Sequence, residues 1–221
     1  MYYIKQTNQK LFINDNWSDT NWESVPELEI ANYREEGSGH KPIVKVKLLY
    51  DLKHLYVFFK VIDKYVKCLH TDYQSPVWKD SCVEFFVRPI NTKGYFNFEI
   101  NCGGTMLLYF IENWERTKDG FKNFIKINSE TAKMVSIYHS LPTLIKEEIQ
   151  EPITWYIQIC INFLLFEKYL GPMGVLKCSE WYANFYKCGD ETSHPHWGSW
   201  QSLQGELNFH RPDVFAPIKY L

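Results

Sequence analysis

No apolar run in this 221-residue chain comes near the ~18 residues that a membrane-spanning helix requires; even Met106 to Ile111 falls far short. Met1 to Lys10 has no apolar core of the kind a signal peptide carries. The chain as it stands is therefore expected to lack an export signal, and to be extracytoplasmic only as a processed form. Charge of one sign is missing too. Lys plus Arg number 24 and Asp plus Glu 26, a formal charge of −2, which leaves no strong field to gather nucleic acid or an anionic membrane. The six cysteines, Cys68, Cys82, Cys102, Cys160, Cys178 and Cys188, contain no C-x-x-C pair. That argues against a zinc knuckle or a dense disulfide framework; buried free thiols are expected, with bridges left open for an exported form. There is no G-x-S-x-G elbow, no G-x-G-x-x-G turn and no G-x-x-x-x-G-K-S/T loop, so serine-hydrolase chemistry and nucleotide cofactors fall away. Gly103-Gly104 reads instead as a turn between strands. With no internal repeat, low-complexity stretch or linker to mark a boundary, residues 1–221 read as a single domain.

What the chain does have is aromatic residues, 8 Trp, 15 Tyr and 15 Phe, set in segments whose apolar period is two. Ile43 to Leu49, Leu55 to Ile62, Cys82 to Val87, Tyr95 to Asn101, Met106 to Ile111, Val135 to Tyr138, Trp155 to Phe163 and Glu180 to Tyr186 all predict strands. Helical signals are few: Leu144 to Gln150 is the best candidate and Phe163 to Leu170 the second, both kept short by neighbouring Pro or Gly. Turns at Tyr50 to Lys53 and Pro89 to Gly94 complete the pattern. The expected fold is all-β, an antiparallel β-sandwich of jelly-roll-like form with few short helices.

Alternation also sorts the polar residues. Phe96, Phe98 and Ile100 share one face of their strand, while Tyr95, Asn97, Glu99 and Asn101 form a row of hydrogen-bonding groups on the other. Val83, Phe85 and Val87 likewise oppose Asp80, Cys82, Glu84 and Phe86, which places Glu84 in partly sheltered company. A glycoside hydrolase needs two carboxyl groups about 5–5.5 Å or about 6.5–9.5 Å apart. Asp80 and Glu84 on one strand are ~13 Å apart at about 3.3 Å per residue, so that pair fits neither geometry, and Glu99 fits only if its strand is the neighbour. Cys188, His194, His196 and His210 match no zinc spacing. The tryptophans are more telling. Trp78, Trp197 and Trp200 sit in polar, turn-like segments, where an indole offers a broad apolar plane suited to the C–H face of a pyranose ring.

The runs Pro42 to Asp51, Leu55-Tyr56-Val57, Val77-Trp78-Lys79-Asp80-Ser81-Cys82-Val83-Glu84-Phe85-Phe86 and Gly94 to Asn101 resemble the family 9 carbohydrate-binding modules. These are DOMON-like sandwiches found beside xylanases and as stand-alone bacterial proteins. Ala183 to Tyr186 and Asn208 to Phe215 extend the likeness, which covers roughly residues 20 to 221. The resemblance implies two tryptophans that sandwich a terminal sugar, with a Glu six residues after the first to take its hydroxyls. Trp78 and Glu84 match that spacing; Trp200 or Trp197 matches the second tryptophan, with Trp200 ahead, and Asn97, Glu99 or Asn101 would assist. Of the arginines, Arg34, Arg88, Arg116 and Arg211, none matches the groove arginine that family members use. Family members also hold structural calcium, for which Asp51 and Asp63 are candidate ligands. The implied function is non-catalytic binding of an oligo- or polysaccharide of the xylan or glucan type during polysaccharide utilisation. The alternatives are a glycoside hydrolase of carbohydrate catabolism, a haem-binding DOMON-like domain with His and Met ligands, and a partner-binding domain with the tryptophans as hot spots.

Overall fold

A computed structural model describes residues 1–89 and 92–221. All eight β-branched and aromatic segments singled out above are strands, the one at Met106 running on to Thr117. The strands are β1 Tyr2–Gln6, β2 Leu28–Ile30, β3 Asn32–Tyr33, β4 Ile43–Tyr50, β5 His54–Asp63, β6 Val66–Cys68, β7 Cys82–Arg88 and β8 Tyr95–Asn101. They continue as β9 Met106–Thr117, β10 Gly120–Lys126, β11 Val135–His139, β12 Ile145–Ile149, β13 Ile153–Asn162, β14 Glu180–Cys188, β15 Trp197–Ser199 and β16 Ala216–Tyr220. One sheet runs β10-β9-β8-β7-β14-β16-β1 and the other β1-β4-β5-β13-β11, so that β1 closes the edge between them. Pairing is antiparallel throughout the described residues except along β1, which lies parallel to both β16 and β4. The fold is thus a β-sandwich with few short helices.

Between the sheets, Val44, Val46 and Leu48 of β4 and Val57, Phe59 and Val61 of β5 face Val83, Phe85 and Val87 of β7 and Phe96, Phe98 and Ile100 of β8. Phe85 stacks between Phe98 and Phe185 at centroid distances of 6.0 and 5.0 Å. Such offset ring stacks add specific geometry to the area that the sandwich buries. Asp51 shapes the expected β4–β5 turn, its Oδ1 accepting the N–H groups of Lys53 and His54. Of the turn expected over Pro89 to Gly94, Ile90 and Asn91 lie outside the described residues. Five of the six thiols are buried, whereas Cys178 is exposed.

The helical expectation holds at one place and fails at the other. Phe163–Leu170 is a helix, its first turn capped by Asn162, whose Oδ1 accepts the Leu164 N–H, and ended by Gly171 at φ 80°. Leu144 to Gln150 is instead β12, paired with β6. Its apolar residues Ile145 and Ile149 are four apart, a spacing that puts them on one face of a helix and of a strand alike. Pairing with β6, which buries Ile145, decides for the strand.

At one end of the sandwich an ion pair lies wholly inside. Lys187 of β14 points between the sheets, its Nζ 3.3 Å from Asp63 Oδ2, with both side chains shielded from water. Lys187 also donates to His196 Nε2 at 2.7 Å; the His196 Nδ1–H in turn donates to the His194 carbonyl. Asp63 takes further bonds from His40, at 2.8 Å, and from the Trp155 indole, at 3.3 Å. Burial works against the Asp63 carboxylate, yet the Lys187 ammonium and the His40 bond outweigh it and hold the group well below the usual range. Burial and the same ammonium push His196 down to about 3, so it stays neutral. Removing one partner strands the other charge in an apolar interior. Lys187→Met is therefore expected to lower the unfolding free energy by about 3–5 kcal/mol, read from the urea midpoint. An unchanged midpoint would show that the pair does not support this end of the fold.

Candidate functional site

Alternation turns part of β7, β8 and β14 away from the core. Cys82, Glu84 and Phe86, then Tyr95, Asn97, Glu99 and Asn101, then Asn184, Tyr186 and Cys188 project from the outer face of the first sheet. Register brings the acids together: Glu84 lies directly opposite Glu99 on β8 and opposite Tyr186 on β14, while Cys82 faces Cys188. The neighbour relation that the sequence left open is therefore met. Both carboxyl groups are buried, Glu84 at 2% and Glu99 at 5% exposure.

Around this floor stands a cavity of about 420 Å³. Trp78 forms one wall from a single turn of 3-10 helix, Val77–Lys79, seated on the buried Val77. Asp80 anchors that turn from below by accepting the N–H groups of Leu69 and His70 and the Asn101 amide. The Asp190 and Glu191 N–H groups donate to the Trp78 and Lys79 carbonyls, so the turn is tied to the end of β14. Trp197 forms a second wall from β15, where it pairs with Cys188, and its indole N–H donates to Asp190 Oδ1 at 2.7 Å. A further wall is Glu206 to His210, part of the segment 203–210, beside Leu107, Tyr109 and Arg116 of β9 and Phe121 of β10. Phe209 stacks on Tyr186 at 4.2 Å, and the Tyr186 hydroxyl donates to the Phe209 carbonyl. Arg34 pins the same segment by donating to the Leu203 and Gly205 carbonyls at 2.7 and 2.6 Å.

The electrostatics of the floor follow from burial. Glu84 Oε1 accepts the Cys188 thiol at 3.2 Å, and Glu99 Oε1 accepts the Asn97 amide at 2.7 Å. Glu84 Oε2 and Glu99 Oε2 have no protein partner among the described residues. Burial drives Glu84 well above the ordinary carboxyl range, with Cys188 and Glu99 adding to the rise. Burial also lifts Glu99 to about 7, against the opposing pull of the Asn97 bond and Arg116. Asp190 is raised by burial, and His210 is pushed well below its ordinary value by burial and Arg116, so it is neutral where its Nδ1 meets the Tyr95 hydroxyl. Cys82, Glu84 and Cys188 bring one donor atom each within 4.8 Å of one another, a group of metal-ligand type. Burial keeps those thiols protonated, Cys82 pushed up to about 12, and the Cys188 S–H is committed to Glu84.

Of the residues expected from the sequence, Trp78, Glu84, Asn97, Glu99 and Trp197 line this cavity. Trp200 does not. It packs edge-on against Phe185 at 5.7 Å as part of the inter-sheet core, because three residues along an extended segment place it on the face opposite Trp197. Asn101 lies outside as well, its amide committed to His70 and Asp80 and its carbonyl to the Thr105 N–H. The calcium candidates are likewise engaged. Asp51 is bonded by Lys53, His54 and Tyr56, and Asp63 faces an ammonium rather than an open site. The histidines and Cys188 do not converge either, since Cys188 and His210 line the cavity while His196 belongs to the Lys187 network and His194 stacks on Tyr65 at 3.5 Å. Tyr109, Asp190 and Phe209 are lining residues that the sequence did not single out, while Arg116 and Cys188 were named there without being placed at the site. For Phe209 a signal existed in the segment Asn208 to Phe215, and for Arg116 in the groove arginine that the resemblance implies, which no spacing tied to it.

A family model, carbohydrate-binding family 9, matches residues 17–220. Among solved structures, a Bacteroides uniformis protein provisionally described as carbohydrate-binding is similar at 25% identity and a TM-score of 0.82, over 99% of this chain and 98% of that one. A family 9 module from Caldicellulosiruptor kristjanssonii in complex with glucose is similar at 13% identity and a TM-score of 0.61, over 99% and 95% of the two chains. The cellotriose complex of a family 9 module from the same organism gives 15% identity, a TM-score of 0.57 and coverage of 99% and 92%. No curated protein matches.

The raised Glu99 carboxyl has a consequence for stability. Between the ordinary value of 4.5 and the folded value of about 7, the folded chain holds a proton on Glu99 that the unfolded chain has lost, so this group's contribution falls as pH rises through that window. Glu99→Gln removes the dependence. The stability of the variant relative to the parent is expected to grow from about pH 4.5 to about pH 7 and then level off, as followed by chemical denaturation. A difference that is flat across this range would place Glu99 in a wetter setting.

Proposed function

The chain belongs to carbohydrate-binding family 9, and we propose on that premise that it binds a saccharide without cutting it, in the cavity on the outer face of the first sheet. The observation that carries the reading is the union of two indole walls, Trp78 and Trp197, with a floor of buried carboxyl groups that each keep one oxygen without a protein partner. In this reading the two indoles cover the C–H faces of a terminal sugar, and Glu84, assisted by Glu99 and Asn97, accepts its hydroxyl protons. Each hydrogen bond to the floor contributes about 0.5–1.5 kcal/mol net, to which the stacked indoles add, and affinity is expected in the millimolar to micromolar range, about −4 to −8 kcal/mol. Residues 1–221 act as one binding domain, and ligands of the xylan or glucan type suit a site built to hold one chain end.

A hydrolytic reading draws on the same register, since Glu84 and Glu99 are neighbours. Release of nitrophenol from a chromogenic xyloside or glucoside, lost in Glu99→Gln, would establish it. The binding reading is tested by isothermal titration with xylo-, cello- and manno-oligosaccharides and their alditol-ended forms. Trp78→Ala and Trp197→Ala are each expected to weaken binding about tenfold or more, as loss of a central aromatic anchor does. Trp200→Ala is expected to lower the melting temperature instead and leave the affinity close to the parent value. Equal loss of affinity in all three would move the second wall back to Trp200.

A further inference from the structure

The charged groups of the cavity are unevenly divided between acids and bases. On its floor the Asn97 amide is engaged by Glu99, and the Cys188 thiol by Glu84. The buried floor atoms left without a partner are acceptors. Glu84 Oε2 and Glu99 Oε2 are buried without a partner, on directly opposed residues of adjacent strands, and Asp190 and Glu206 add two further acids to the lining. Against these four acids the lining carries one fixed cation, Arg116, whose guanidinium lies over the Phe121 ring at 4.3 Å. His210 is buried and neutral and supplies no charge. Two carboxyl groups side by side under a low-dielectric wall repel each other, and relief comes from a bound proton or from a cation. A neutral sugar donates hydrogen bonds and leaves that proton in place.

We propose that the ligand of this cavity is a cationic amino sugar, a hexosamine unit whose unmodified ammonium group sits between Glu84 and Glu99. The inference rests on the saccharide reading above. An ammonium brings three donors to a floor with two unpartnered acceptor oxygens and supplies the missing positive charge in the same contact. It takes the place of the proton that the pair otherwise holds, so its binding releases a proton where that of a neutral sugar does not. The indole walls suit the same ligand, since a cation near an aromatic face is attracted rather than tolerated.

The test is isothermal titration of the full chain at about pH 6.5, below the titration range of an α-amino group, with glucosamine, glucose, N-acetylglucosamine and their β-1,4-linked disaccharides. Glucosamine is expected to bind at least about tenfold tighter than the other two, the equivalent of one charge-assisted hydrogen bond. Repetition in two buffers of different ionisation enthalpy is expected to show proton release with glucosamine alone. In Glu99→Gln, whose folding is checked by its melting curve, the ratio of glucosamine to glucose affinity is expected to fall toward one. Glucosamine binding no tighter than glucose overturns the proposal and leaves the saccharide reading intact. Failure of every sugar to bind overturns both.

Discussion

The register of β7 between β8 and β14 is the constraint on which the rest of this protein depends. It sends Val83, Phe85 and Val87 into the sandwich and, with the intervening residues, sets Glu84 against Glu99 and Cys82 against Cys188 on the outside. A slip of one residue would exchange the two sets, putting carboxyl groups into the core and phenyl rings into the cavity. The core therefore enforces the site: the apolar area that fixes the register also fixes which polar groups meet. Burial of the two acids costs stability, and the sheet tolerates it because the inward face supplies far more in return.

The same logic works from β14 at the end of the sandwich. Lys187 and Cys188 are adjacent in sequence and face opposite ways, one into the Asp63 pair between the sheets and the other onto Glu84. His196 and Trp197 repeat the pattern where the chain enters β15, with His196 bonded to Lys187 and Trp197 a wall of the cavity. A buried ionic network thus lies directly behind the Trp197 wall and is tied to it through His196. Charge inside the sandwich and charge in the cavity are separated by the thickness of one sheet.

Much of the architecture was legible in the sequence, because period-two alternation of large residues determines strands and their faces without reference to partners. The pairing of Glu84 with Glu99 was not, since neighbour relations between strands are a property of topology. Leu144 to Gln150 misled because residues four apart satisfy two periods at once. Trp200 misled through resemblance, although the spacing of three from Trp197 already put the two indoles on opposite faces of an extended segment. Arg116 lies near the end of a strand that runs well past its apolar part, opposite Phe121 of β10, and pairing with that strand sets both at the cavity. Phe209 owes its place to Tyr186, 23 residues away, and the segment before it is held by Arg34, 169 and 171 residues from the Leu203 and Gly205 carbonyls it bonds.

That last clamp has a kinetic meaning. Arg34 holds the 203–210 segment from the opposite end of the sequence, and the cavity draws its parts from β7, β8, β9, β14, β15 and that segment. Contacts of such long sequence separation form late, after the loops between them have been closed. A chain emerging from the ribosome can assemble much of its sandwich while the cavity still lacks a wall, and the site is completed only when the final tenth of the sequence docks. Ligand affinity is then a sensitive report on whether the C-terminal part of the chain has docked.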